Sequence, residues 1–252
     1  GELRGLHWCW KEKKEKKYKY YGLMQYRRYF LKPRGRVLTF SLLLESKIFN
    51  YIRGLTYRLN MPIFKKIITK YDRIKGKWLH FGSRSFDRSL TNQISQFNYF
   101  VKNNFKNYDF IVAEPIYSVN NLKVEYLSSQ NFPEDLVILR EIIQKYHSQY
   151  LQTFDEVWSS NKLYGHNMFI MKDKYFESYM DWLFDIVFRL EKEMNFENRT
   201  SHQQRAIGFM SERLLTVFFE HIRKSEKIRF IELPVVLIGS KSKSKSKNKR
   251  KC

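Results

Sequence analysis

Two adjacent arginines, Arg27 and Arg28, stand among aromatic residues in the stretch GLMQYRRYF, which spans residues 22–30. A guanidinium group is always charged, and its rigid fork of donors matches the oxygens of phosphates and carboxylates. The pair and the neighbouring Tyr26 therefore suit three roles: binding a diphosphate, following a nucleic acid backbone, or forming structural ion pairs. From these residues alone, the structural role is the simpler interpretation.

The aromatic run around the arginines predicts a strand that ends near them. Ligands in open α/β sheets bind beyond the carboxyl ends of strands, so this position favours a binding role. If residues 22–30 form one strand, successive side chains point to opposite faces of the sheet. Only one of the two arginines is then expected to reach a given ligand.

Two further groups of polar residues have types and spacings that fit a binding or catalytic role. His166 and Asn167 are expected at the start of a short strand, where they could bind a ligand by hydrogen bonds; a capped strand start is the alternative. Arg205, Gly208 and Glu212 have the spacing of one helix face. Glu212 there could act as a general base or orient an acceptor hydroxyl. The alternative is an exposed ion pair, which contributes little to stability.

Metal-binding carboxylates are not evident in the chain. The sequence contains no D-x-D motif, and Asp109 and Glu114, beside a predicted strand, are the candidate oxygen ligands for Mg²⁺ or Mn²⁺. Arginine in place of a metal, or carboxylates upstream of this chain, are the alternatives. Glu134 and Asp135 are interpreted as acids that begin a helix.

The composition is that of a folded and strongly basic protein. Of its 252 residues, 43% are hydrophobic and 17% aromatic, which excludes a disordered chain, and the net charge is +22. Such a charge favours anionic partners: nucleic acid, anionic lipid or phosphorylated small molecules. No zinc-finger spacing or RNA-binding aromatic motif is found, so the nucleic-acid interpretation rests on charge alone.

The end of the chain, residues 239–252, is expected to be a disordered tail of lysine and serine. It suits contact with nucleic acid or an anionic membrane surface, and a solvated tail is the alternative. Two cysteines and no long apolar run predict a cytoplasmic protein, with peripheral membrane contact as a variant. Residues 1–238 are expected to form one domain, in which residues 33–105 are a helical or irregular insertion with helix-like patterns at residues 61–74 and 89–105.

Hydrophobic periodicity predicts an α/β fold. Residues 3–10 have the pattern of an amphipathic helix, and longer helices are expected over residues 132–158, 173–194 and 203–224. Strands are expected in YDFIVAEP, YGHNMFIMK and IRFIELPVVLI. Strands that alternate with helices are typical of a sheet covered by helices.

Several blocks in order carry a family resemblance: E-L-x-x-L-x-W-x-W-K, G-L-x-x-Y-R-R-Y-F, Y-D-F-I, E-D-L, N-M-F-I-M-K and R-x-x-G-F-x-x-E-R-L-L. The chain resembles the capsular and exopolysaccharide glycosyltransferase-like family, long known as a domain of unknown function and similar to GT-A nucleotide-sugar transferases. The resemblance implies a GT-A-like (Rossmann-like) mixed sheet flanked by helices. It also implies a further N-terminal strand upstream of Glu2, so the chain is expected to be a fragment of a longer reading frame.

The implied activity is transfer of a hexose from a nucleotide sugar to a glycan hydroxyl. In that case Tyr26, Arg27 and Arg28 would bind the donor diphosphate, and Glu212 would be catalytic. The acceptor or sugar would be bound by His166 and Asn167 near the predicted strand and by Arg205 on the predicted helix. The chain departs from the family where Gln25, and Gln130 or Asn131, stand in place of histidine. A basic nucleic-acid-binding protein and a catalytically degenerate scaffold are the alternatives.

Overall fold

The computed structural model describes residues 2–12, 18–25, 28–31, 83–118, 120–129 and 131–237. Its helices are α1 (Glu2–Glu12), α2 (Ser83–Asn104), α3 (Leu122–Ser128), α4 (Pro133–Tyr146), α5 (Leu151–Ser159), α6 (Asp173–Glu193) and α7 (Ala206–Ser225). Its strands are β1 (Tyr20–Leu23), β2 (Arg28–Phe30), β3 (Phe110–Ala113), β4 (Ile116–Tyr117), β5 (Lys162–Leu163), β6 (Phe169–Lys172), β7 (Phe230–Leu233) and β8 (Val235–Leu237). Short 3₁₀ turns are Phe105–Asn107, Ser148–Tyr150 and Gln203–Arg205.

A mixed sheet with the order β1-β6-β3-β7 forms the centre of the described part. Strands β3 and β7 are parallel, whereas β6 runs antiparallel to both of its neighbours, β1 and β3. Consequently β1, β3 and β7 all point the same way. Two small antiparallel pairs, β2–β8 and β4–β5, accompany this sheet.

Strand β3 shows how helices cover both faces of the sheet. All four of its residues are buried, and their side chains alternate between two hydrophobic clusters. Phe110 and Val112 belong to the larger cluster, which contains the buried faces of α6 and α7. Ile111 and Ala113 belong to the smaller one, which contains Phe97 of α2. The predicted mixed α/β sheet flanked by helices is therefore confirmed.

The predicted amphipathic helices at residues 3–10, 173–194 and 203–224 are confirmed as α1, α6 and α7. The single helix expected over residues 132–158 is wrong, because the chain leaves helical geometry at His147 (φ −140°) and separates α4 from α5. The amide of His147 closes α4 by donating to Ile143 O, and a 3₁₀ turn follows. Tyr146, expected on the apolar stripe, is 40% exposed.

Two expected strands are each divided between two sheets. The chain turns at Gln25, so β1 pairs with β6 whereas β2 pairs with β8. Pro234 separates β7 from β8, because proline has no amide hydrogen for a sheet ladder. The predicted helix within residues 89–105 is confirmed as part of α2. The helix predicted for residues 61–74, most of the insertion and the basic tail lie outside the described residues.

Candidate active site at the carboxyl edge of the sheet

One edge of the central sheet gathers several of the polar residues singled out in the sequence. The parallel strands β1 and β3 end there at Leu23 and Ala113, and the antiparallel strand β6 begins there at Phe169. Gln25, Glu114 and Asn167 follow or precede these strand ends. This edge is where open α/β sheets bind ligands, so it is the candidate active site.

Arg28 is held at this edge by two hydrogen bonds to Gln25. Its amide donates to Gln25 O at 3.1 Å, and its Nη1 donates to Gln25 Oε1. Gln25 is buried, with 8% of its surface exposed, so it holds Arg28 from within the fold. Arg28 begins β2 and does not continue β1, which corrects the single-strand prediction and its alternating faces. Tyr26 and Arg27 lie outside the described residues, so their proposed roles stay predictions.

His166 and Asn167 form a left-handed turn before β6. Their φ angles are 69° and 48°, and β6 itself begins only at Phe169, so the prediction that they begin the strand is corrected. Left-handed backbone is uncommon for residues other than glycine, and it is concentrated at functional sites. Burial, together with the positive charge of Arg28, lowers the pKa of His166 to about 4. The imidazole of His166 is therefore neutral at physiological pH, although the nearby Arg28 is charged.

A chain of hydrogen bonds connects this turn to α7. Asn167 Nδ2 donates to Ser211 Oγ at 3.0 Å, and Ser211 Oγ donates to Gly208 O at 2.7 Å. Asn167 and Ser211 are both buried. Ser211 is not among the residues predicted from the sequence; its signal is a serine one turn after a helical glycine, where the hydroxyl can bond a backbone carbonyl.

Glu212, half-buried on α7, stands next to Ser211 in sequence and one turn after Gly208. Arg205 is not on the helix itself: it ends the preceding 3₁₀ turn, and its guanidinium lies 5.2 Å from the ring centroid of Phe209. The expected common helix face of Arg205, Gly208 and Glu212 is therefore correct for the last two only. The structure brings Asn167 and α7 together at Ser211, next to Glu212.

The two candidate metal ligands lie at opposite ends of β3. Glu114 follows the strand at the carboxyl edge, whereas Asp109 precedes it at the other edge. Asp109 accepts from Lys172 Nζ at 2.6 Å and from the amide of Arg229 at 2.7 Å. Burial raises its pKa, but these bonds outweigh burial and the net shift is downward. Among the described residues no group of three metal-ligating side chains exists, and the length of β3 separates Asp109 from Glu114, so these two residues do not fit one metal site.

Two other polar positions are structural. Asp135, interpreted from sequence as a helix-start acid, is buried and accepts two hydrogen bonds of 2.7 Å from Arg199. Asn131, at the second departure from the family pattern, is buried and donates to Tyr126 O at 2.9 Å. Asp135 therefore joins α4 to the segment before α7, and Asn131 stabilises the segment before α4. Gln130 lies outside the described residues.

Comparison with solved structures finds a protein of similar fold. The chain is similar to a structure titled "WbbM bifunctional glycosytransferase apo structure", with a TM-score of 0.65 and 16% sequence identity. The match covers 95% of this chain and 36% of that chain, so this chain spans about a third of the solved protein. At this identity the likeness shows a shared fold.

The family is shown by sequence. The profile described as "Domain of unknown function (DUF4422)" matches residues 1–224, and the chain belongs to this family. No curated protein matches the chain. Within the described ranges, no helix has both the length and the apolar character needed to cross a membrane.

Proposed function

We propose that this protein is a GT-A-like glycosyltransferase, which transfers a hexose from a nucleotide sugar to a hydroxyl of a glycan. The observation that carries the proposal is the meeting of Arg28, a neutral His166 and Asn167 at the carboxyl edge of a glycosyltransferase fold. A fixed cation beside uncharged hydrogen-bonding groups suits a ligand with a charged diphosphate and a neutral sugar. Tyr26, Arg27 and Arg205 are proposed to extend the donor and acceptor contacts.

In the proposed reaction, the bond between the anomeric carbon and the diphosphate oxygen breaks, and the electron pair leaves with the diphosphate. Arg28 stabilises the negative charge that develops on this leaving group. The acceptor hydroxyl forms the new bond to the anomeric carbon, and Glu212 takes its proton as general base. His166 and Asn167 hold sugar hydroxyls, which fixes the angle of attack.

The proposed setting is the cytoplasm, with peripheral attachment to an anionic surface through the lysine-rich tail. A divalent cation that assists the diphosphate would need ligands other than those described, because Asp109 is already paired. The donor is expected to be a nucleotide sugar, and the acceptor a growing polysaccharide.

A direct test is release of nucleoside diphosphate from a panel of UDP-, GDP- and dTDP-hexoses, with and without oligosaccharide acceptors. The parent protein should release diphosphate from at least one donor, and Arg28→Ala should abolish most of this release. Arg140→Ala is the matched control, because Arg140 is a surface residue paired with Asp155. Binding of a nucleoside diphosphate without any turnover would favour a degenerate scaffold, and absence of binding would refute the proposal.

A further inference from the structure

The orientation of the Asn167 side-chain amide follows from counting protons. Gly208 O can only accept a hydrogen bond, so Ser211 Oγ, which lies 2.7 Å away, must donate its one proton to that bond. Ser211 Oγ can then only accept from Asn167, at 3.0 Å. The amide nitrogen therefore faces Ser211, and Oδ1 of Asn167 is directed away from it.

Oδ1 of Asn167 is a buried acceptor that no described residue satisfies. The residue is only 3% exposed, and its backbone is left-handed like that of His166. Leaving a buried acceptor without a partner costs about 1–3 kcal/mol, and native proteins keep few such groups. An unsatisfied acceptor in a strained turn is typical of a place where a ligand supplies the missing bond.

Gly208 leaves open space beside the same hydrogen-bond chain. A Cβ atom built on Gly208 would meet no heavy atom within 4 Å, so packing does not require a glycine there. Glycine inside a helix is about 1 kcal/mol less favourable than alanine, so its presence calls for another reason. A bare backbone lets a ligand approach α7 closely, next to Ser211 and Asn167.

We propose that Gly208 and Asn167 form a hydroxyl-binding subsite, in which a sugar hydroxyl rests against Gly208 and donates to Asn167 Oδ1. This inference rests on the proposed function and deepens it, because it assigns this subsite to the neutral sugar. Because Oδ1 is buried, the proposal requires the left-handed His166–Asn167 segment to move when the hydroxyl enters. A carbonyl oxygen repels phosphate oxygens, so the diphosphate lies elsewhere, beside Arg28. Ser211 is a positioning residue, since it stops the amide from rotating.

The chain offers a matched pair of glycines for the test. Gly5 in α1 and Gly208 in α7 are both helical, and an added Cβ meets nothing within 4 Å at either. Both Gly5→Ala and Gly208→Ala should fold at least as stably as the parent, because alanine is the better helix former. Gly208→Ala should lower the affinity for a UDP-hexose, relative to UDP alone, by roughly tenfold to a hundredfold, the loss of one buried hydrogen bond. Gly5→Ala should change neither affinity. Equal weakening of UDP and UDP-hexose by Gly208→Ala would assign the site to an anion and overturn the proposal.

The role of Ser211 is tested by selectivity. In Ser211→Ala the amide is free to rotate, so the preference for a methyl hexopyranoside over its deoxy counterpart should fall, whereas a purely structural serine would leave this ratio unchanged. Ser178→Ala is the control, because Ser178 Oγ bonds a helix carbonyl in the same manner on α6. An unchanged ratio in a folded Ser211→Ala protein would overturn the positioning role.

An NMR titration separates this inference from the proposed function. The side-chain amide signals of Asn167, identified by their loss in Asn167→Ser, should shift on addition of methyl hexopyranosides and not on addition of inorganic pyrophosphate. This result would hold even if no nucleotide sugar were turned over, in which case the proposed activity alone would fail. A response to pyrophosphate, or to neither probe, would overturn the subsite.

Discussion

The guanidinium group of Arg28 lies within electrostatic range of the His166 imidazole, although the two residues are far apart in the sequence. Burial disfavours a charged imidazole, and the guanidinium adds like-charge repulsion, so the pKa of His166 falls to about 4 from a usual 6.5. Because folding lowers the pKa of this imidazole, folding favours its neutral form. The unfolded chain therefore binds more protons between these two pH values.

The first prediction follows from that proton difference. The free energy of unfolding should fall as the pH is lowered from about 6.5 towards 4, and His166→Asn should flatten this slope. Asparagine is the suitable replacement because it tolerates left-handed backbone. Individual histidine pKa values, measured by NMR, should show His166 rising in Arg28→Gln. His221 is the internal control, since its pKa is lowered by burial and by Lys224 and should not respond. A parent His166 that titrates near 6.5 would contradict the described geometry.

The second prediction concerns donor binding. An anion that pairs with Arg28 cancels the repulsion on His166 and raises its pKa, so protonation and donor binding support each other. The affinity for UDP-glucose should therefore increase as the pH falls from about 6.5 towards 4. UDP-glucose is the right probe because its diphosphate diester keeps its charge over this range. Calorimetry at several pH values should show this increase in the parent and a flat profile in His166→Asn. A flat profile in both proteins would place the diphosphate away from His166.

The third prediction concerns the buried ion pair between α4 and the segment before α7. Arg199 and Asp135 have side chains that are 6% and 1% exposed, and Arg199 also lies against the rings of Phe132 and Phe196. Asp135→Asn leaves the guanidinium buried without its charge partner, which should lower the free energy of unfolding by about 3–5 kcal/mol. Urea unfolding would measure this loss. Asp155→Asn, at the exposed pair with Arg140, should change stability by about 0–1 kcal/mol. Similar losses in the two variants would contradict the buried pair.

Helix and strand periodicity predicted the fold well where a long element buries one face or a short strand is buried throughout. The apolar faces of α6 and α7 and the buried run of β3 have patterns that only one structure satisfies. The breaks were missed because they depend on tertiary pairing: the aromatic run through Arg28 reads as continuous strand, yet its two halves pair with different strands. Local composition does not encode such a change of partner.

The sequence predicted which residue types would form the candidate site, but it did not predict which side chains would contact one another there. Arg28, His166 and Asn167 were singled out as hydrogen-bonding or phosphate-binding groups, but their neighbours depend on the sheet order. Ser211 was missed because its importance comes from contact with Asn167, which is distant in sequence. Asp135 was interpreted as a helix-start acid because a sequence does not show that Arg199 lies opposite.

The fourth prediction separates a glycosyltransferase from a nucleic-acid-binding protein. Residues 241–251 contain six lysines and one arginine, which should bind RNA or DNA in a salt-sensitive and sequence-independent manner. Deletion of residues 240–252 should remove much of this binding and leave release of nucleoside diphosphate unchanged. Filter binding at two salt concentrations, alongside the transfer assay, would measure both. Sequence-specific binding that survives the deletion would instead favour the nucleic-acid function.

The last prediction concerns Glu212, which is half-buried on α7 beside Ser211 and is assigned the acceptor proton in the proposed reaction. Glu212→Gln keeps the shape of the side chain but removes its charge and its basicity. If Glu212 takes the acceptor proton, turnover should fall by roughly 10²-fold or more while the affinity for the donor changes little. Glu226→Gln is the matched control, because Glu226 follows the opposite end of α7, where it pairs with Lys174. If Glu212 serves only an ion pair, the substitution should shift stability by about 0–1 kcal/mol and leave the rate near normal. Donor affinity and initial transfer rate, measured on one folded preparation of each variant, separate the two roles, and a normal rate in Glu212→Gln would remove Glu212 from the proposed mechanism.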